Sequence, residues 1–251
     1  MRVTRIVCLL GLAGAAAMAQ REEVGKGVNF YSIEKEIALG KELAEEFRRG
    51  NRMVESPVAA AYVNELGQRL VKEIGGPAFS YTFEIVADDP TAAHEVAAFP
   101  GGFLFVPSSL ILAAKDEDEF AGMLAHGVAH VAARHGTKVA TKAEIANIAA
   151  APLIYMGGWT GYAMRQGNEQ ALPMAMVQAW RRLELDADGL AVKAMAAVGY
   201  DPAALVRYLE RQQEDAARRV AALRAVIEGL PAKVYGEHDG WGRVQDAVRR
   251  K

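Results

Sequence analysis

Apolar residues recur at helical spacing through most of the chain. Ile33, Ile37, Leu43 and Phe47 fall near one face of a helix that Ser32 caps and that runs to about Arg49. Ala60, Val63, Leu66 and Leu70 repeat in the same way in a helix opened by Pro57 and ended by Gly75-Gly76-Pro77. A short helix is expected at Leu110–Ala114. A longer one follows the acidic run Asp116–Glu119, in which Asp116 and Glu119 have capping-box spacing, and continues past Arg134-His135. Further helices are expected from about Glu169 to Val198, where Gly199 stops the chain, from Asp201-Pro202 to about Glu228, and at the C-terminus.

Between the second and third helices the pattern changes. Tyr81–Val86 alternates and is rich in β-formers, and Asp88-Asp89-Pro90 is a turn. Glu95–Phe99 has the length of a short edge strand and Phe103–Val106 that of a buried one. Pro100-Gly101-Gly102 joins them as a hairpin, although proline disfavours regular pairing. The fold class is α+β, mostly α, with a small β-sheet.

Two stretches depart from globular patterning. Arg2 and Arg5 precede an apolar run, Ile6–Ala16, and Ala17-Met18-Ala19 is a small-x-small cleavage signal. Residues 1–19 are therefore expected to be a signal peptide, 20–31 a polar lead-in, and 32–251 a single domain. The protein is expected to be exported, to the periplasm of a bacterium. Residues 145–163 carry no charge, but Pro152, Gly157, Gly158 and Gly161 interrupt them. A buried or membrane-brushing hairpin or loop beside the cleft fits them better than a span of about 20 residues.

The chain of 251 residues has a formal charge of -2, which gives no drive toward nucleic acid. Its one cysteine, Cys8, leaves with the signal peptide, so a metal site in the mature chain must use His, Asp and Glu.

His126 and His130 lie four apart in an alanine-rich helix, one turn from each other on one face, and can reach one metal ion. Two buried core histidines are the alternative. The zinc-protease motif H-E-x-x-H has the same frame, but Gly127 stands where it has glutamate. Glu184 is the leading third ligand. Asp188, four residues on, is placed to accept the N–H of a ligating histidine, and a solvated acidic face with Asp186 is the alternative. His135 comes five after His130, one short of the spacing in elongated zinc motifs, and reads as a packing or cleft residue. His94 reads as polar surface. His238 is either an ordinary loop histidine or a mobile group that stabilises an oxyanion or caps the metal.

Several segments together resemble the HtpX and CAAX-prenyl-protease type of zinc metallopeptidase, in its soluble, exported bacterial branch. They are Ser32-x-x-x-Glu36-Ile37-x-Leu39-Gly40, Tyr62–Gly67, Phe99–Val106, Leu124-Ala125-His126-x-x-x-His130-Val131-x-x-Arg134-His135, Glu184-x-x-x-Asp188 and Gly199–Pro202. The resemblance covers roughly residues 32–202. It implies a zincin-like domain with the sheet beside the metal helix, Zn2+ as cofactor, His126, His130 and Glu184 as ligands, and Asp188 behind them. It also implies that Glu95, Val96, Ala97, Ala98 and Phe99 form the edge against which peptide is laid by strand addition. A family loop whose histidine covers the zinc is similar in position to the loop holding His238. The implied partners are peptides or unfolded protein segments.

The sequence departs from that pattern at three positions. Gly127 replaces the general base, Glu95 replaces an asparagine, and Asp239 follows His238 in place of proline. Loss of general acid–base catalysis costs on the order of 10²–10⁴-fold. Three readings follow: a zinc-binding, impaired or pseudo-endopeptidase; an active metalloendopeptidase with a surrogate base; and a non-metal interaction protein that keeps only the fold.

Overall fold

The computed structural model describes residues 24–88, 95–145, 174–212, 216–236, 238 and 240–251. The predicted signal peptide, His94 and all of 145–163 except Ile145 lie outside them.

The first two helices form as their caps dictate. The Ser32 hydroxyl accepts from the Lys35 amide at the start of α1 (Ile33–Gly50), and Pro57 occupies the first turn of α2 (Pro57–Ile74). Three short strands follow: β1 (Thr82–Val86), β2 (Ala97–Phe99) and β3 (Phe103–Pro107). β3 is central. It runs parallel to β1, pairing Thr82 with Phe103 through Val86 with Pro107, and antiparallel to β2, pairing Ala97 with Phe105 and Phe99 with Phe103.

The hairpin expected around Pro100-Gly101-Gly102 is present. Its connection is a 3₁₀ turn in which Gly101 and Gly102 have φ of 78° and 108°, values that only glycine adopts without strain. Gly40 of α1 lies against this turn so closely that a Cβ there would run into the Pro100 carbonyl.

Strand alternation sorts the sheet into two faces. Ala97, Phe99 and Phe105 pack with Phe47 of α1 in a small aromatic cluster. Val96, Ala98, Leu104 and Val106 face the main core.

At the centre of that core is α4 (Glu117–Ala132), which follows the short α3 (Ser108–Ala113). Every residue of α4 from Glu119 to Ala132 is buried. The helix is apolar almost all round, as a helix enclosed on every side must be. It packs on α2, β2, α6 (Met174–Val198) and α7 (Ala203–Gln212).

Two helical expectations are corrected. The helix carrying the histidines stops at Ala132 instead of running past His135. Arg134 adopts φ of 59°, in the left-handed region, and a new helix, α5 (His135–Ile145), starts after it. The helix expected from Asp201 to Glu228 is two elements, α7 and α8 (Ala217–Glu228), and α8 folds back onto α6 and α7. The terminal helix is α9 (Trp241–Arg249).

The end of the lead-in is fastened to α5. Asn29 Nδ2 donates to Thr137 Oγ1 at 2.8 Å, and the Phe30 amide donates to Thr141 Oγ1 at 2.9 Å. No helix among the described residues is long and apolar enough to cross a membrane.

Candidate metal centre

The acidic start of α4 is capped locally. Asp116 Oδ1 accepts from the Glu119 amide at 2.8 Å, and Glu119 Oε2 in return accepts from the Lys115 amide, one residue before the cap. Two turns further on, His126 and His130 project from one face of α4, and Glu184 of α6 faces them. The His126 and His130 Nε2 atoms lie 3.0 Å apart. Glu184 Oε2 is 3.4 Å from the first and Oε1 is 3.5 Å from the second.

Among the described residues, these three form the group of metal-ligating side chains close enough to share one ion. A tetrahedral zinc with Zn–N bonds of about 2.0–2.1 Å separates its donors by about 3.3 Å. The donor types and their spacing therefore fit zinc.

Each histidine has a partner behind it. His126 Nδ1 lies 2.9 Å from Asp188 Oδ1, one turn after Glu184. With Nδ1–H donated there, the Nε2 lone pair points at the metal position. Asp188 is gripped by Arg219 of α8, whose Nε and Nη2 donate to its two oxygens at 2.8 and 2.7 Å. Arg219 also lies 3.8 Å from Glu184 Oε2. Behind His130, its Nδ1 is 3.2 Å from Nδ1 of His135, and His135 Nε2 is 3.0 Å from Asp186 Oδ2.

The charges follow from burial and these contacts. Burial opposes a charge on His126, but the Asp188 and Glu184 carboxylates outweigh it and raise the imidazole to about 9. Burial pushes His130 well below the usual histidine value, so His126 is the member of the pair that carries a proton in the metal-free protein. Burial also works to raise Asp188, but Arg219 brings it down to about 2. Glu184 is held well below the carboxylate range by the two histidines and Arg219, against its burial.

Gly127 is enclosed. A Cβ there would lie 2.8 Å from Cβ and 2.9 Å from Cγ1 of Val96, which sits over the helix immediately before the edge strand. Val96, Ala97, Ala98 and Phe99 are all buried. Glu95 lies near enough to Arg219 to help hold its positive charge.

His238, read from the sequence as either an ordinary loop histidine or a group at the metal, lies beside the first turn of α4. Its ring stacks on Tyr200 with centroids 4.2 Å apart, and its nitrogens lie 3.9 Å from Glu117 and 3.6 Å from Asp118. Asp118 belongs to the first turn of α4, eight residues before His126, or about 12 Å along the axis.

The sequence reading missed Arg219 and the contact of His135 with His130. Arg219 stands in a charged run beside Arg218, and nothing in linear order singles it out. His135 was legible in part, since the spacing that excludes it as a ligand leaves it close to one.

Known proteases resemble this chain over more than two thirds of its length. Over 196 residues the chain is 24% identical to the β-barrel assembly-enhancing protease of Escherichia coli K12, covering 74% of this chain and 39% of that protein. It is 26% identical over 191 residues to the putative β-barrel assembly-enhancing protease of Vibrio cholerae, covering 73% and 39%. It is 31% identical over 176 residues to the mitochondrial metalloendopeptidase OMA1 of Schizosaccharomyces pombe, covering 68% and 49%. The chain thus spans about two fifths of the length of these bacterial relatives. The sequence profile of peptidase family M48 matches residues 57–238, which takes in both histidines, Glu184 and Asp188, and the chain belongs to that family.

Proposed function

We propose that this protein is a zinc-binding, catalytically impaired member of its peptidase family that holds peptides or unfolded protein segments. The observation that carries the reading is Gly127: three donors converge on one metal position, while the general-base position beside them is a glycine packed against Val96. His126, His130 and Glu184 would hold the ion, and Asp188 and Arg219 would orient His126. Zinc bound there supplies Lewis-acid polarisation of a carbonyl and activation of water. No carboxylate follows His126 to take the proton of that water, which removes on the order of 10²–10⁴-fold in rate. The backbone of Glu95–Phe99, at the sheet edge above α4, is the surface we assign to peptide. The apolar leader and the kinship to β-barrel assembly-enhancing proteases favour an exported protein that acts on protein segments in the bacterial envelope.

The test is metal analysis with paired peptidase assays. The mature protein is expected to carry about one zinc per chain and to cleave casein very weakly. Gly127→Glu alone must displace Val96, so Gly127→Glu combined with Val96→Gly is the variant expected to gain activity strongly. A wild type that cleaves casein robustly and loses that activity to a chelator would overturn the impaired reading.

A second reading, an active enzyme with a surrogate base, is favoured by the closeness of Glu95 to Arg219 at the same centre. In that case Glu95→Gln abolishes a substantial chelator-sensitive activity of the wild type.

A further inference from the structure

We propose that His135 is a positioning residue for the metal centre: it fixes the tautomer and ring orientation of His130 and is itself anchored by Asp186. The inference rests on the zinc-binding reading above.

The argument starts from the backbone. In an unbroken helix, residue 135 would sit 140° around the axis from His130, since five steps of about 100° leave that remainder. The left-handed turn at Arg134 redirects the chain. The turn is itself held, because Arg134 donates through Nε to Glu36 Oε2 at 2.7 Å and through Nη2 to the Tyr31 carbonyl at 2.6 Å. The imidazole of His135 is thereby brought edge-to-face against His130, with ring centroids 5.0 Å apart, and is buried to 1% exposure.

The hydrogen bonds then admit one consistent assignment. To ligate a metal, His130 must present a lone pair at Nε2, so its proton is on Nδ1. That N–H donates to His135 Nδ1, which must accept. The proton of His135 is therefore on Nε2, from which it donates to Asp186 Oδ2. In the reversed assignment His130 carries its proton on Nε2 and cannot bind the ion. His126 is oriented by a buried carboxylate directly, whereas His130 is oriented through a second imidazole whose anchor, Asp186, is 60% exposed.

The experiment measures Zn2+ affinity by competition with a chromophoric chelator, together with the absorption spectrum of the Co2+-loaded protein. It compares the wild type with His135→Leu, His135→Asn and His135→Gln. Leucine removes the acceptor, with an expected loss of roughly 10–100-fold in Zn2+ affinity and an altered Co2+ spectrum. The asparagine amide oxygen can occupy the place of Nδ1, and this variant is expected to stay within about threefold of wild type. Glutamine carries its amide one methylene further, misses that position and loses affinity as leucine does. A packing role alone would lower the melting temperature of the metal-free variants in step with their bulk and leave the affinity of the folded protein unchanged.

Equal affinities for the asparagine and glutamine variants overturn the proposal even if His135→Leu fails to fold. A wild type that binds Zn2+ while His135→Leu and His135→Gln bind it equally well overturns the positioning role alone. A wild type that takes up no Zn2+ overturns the metal reading, and the positioning role with it.

Discussion

Alanine at position 127 would gain about 1 kcal/mol of helix propensity over glycine. Its Cβ would also meet the branched Cβ of Val96 at 2.8 Å, a contact that a rotamer change cannot relieve. Overpacking of this kind costs about 1–3 kcal/mol, so the steric effect wins. Gly127→Ala is expected to lower stability by about 1 kcal/mol in urea denaturation. In a Val96→Gly background, which removes the Cβ that it would meet, the same change is expected to be stabilising, and additive effects in that double-mutant cycle would refute the contact.

Arg219 and Asp188 give a second prediction at this scale. Asp188 is buried and Arg219 is 14% exposed, and Arg219→Met leaves the Asp188 carboxylate with His126 as its remaining charged partner, at a cost of about 3 kcal/mol.

The raised imidazole of His126 gives a third. A histidine whose folded value, about 9, exceeds its unfolded value adds stability that is fully present below the ordinary histidine pKa and is lost as pH rises through the folded one. Zinc-stripped wild type is therefore expected to lose stability between pH 6.5 and 9 relative to His126→Asn. Parallel profiles for the two proteins would count against the assignment.

Two joints between elements position the centre. The first is the alternation of the β2–β3 hairpin, which sends Ala97, Phe99 and Phe105 toward α1 and leaves Val96 and Ala98 against α4. A one-residue slip would exchange the two sets and take Val96 off Gly127. The second is the break between α4 and α5. A left-handed arginine costs on the order of 1 kcal/mol, and it persists because Glu36, at 1% exposure, holds the guanidinium, with Thr137 Oγ1 donating to the same carboxylate at 3.1 Å. Arg134→Gly relieves the backbone but strands a buried carboxylate. A net loss of about 2–3 kcal/mol is expected, measurable in urea. Gain of stability in that variant would mean that backbone strain outweighs the ion pair.

At the scale of the whole molecule, the proposed ligands join the central helix α4 to α6, and Arg219 adds α8. An ion that binds the folded chain and not the unfolded one stabilises it by about 4 kcal/mol at a thousandfold excess over Kd. For a domain of this size that corresponds to a melting temperature about 10 °C above the chelator-treated protein. The comparison also separates the metal reading from an interaction protein that keeps only the fold, whose melting temperature is indifferent to chelator.

The sequence by itself determined what is local. Helical periodicity, Ser32, Pro57 and Asp116 set the starts of helices, Pro100-Gly101-Gly102 set the hairpin, and the i, i+4 spacings of His126 with His130 and of Glu184 with Asp188 put each pair on one face. These are properties of a few adjacent turns, and linear order carries them. Tertiary structure decided which distant groups meet. It brought Arg219 from a separate helix onto Asp188, set Val96 over Gly127, took His238 to the far end of α4, and turned His135 back onto His130 through a left-handed arginine that no propensity favours. The physical reason is that each of these contacts is fixed by packing between elements far apart in the chain, where a charge or a branched side chain has no partner until the core closes around it.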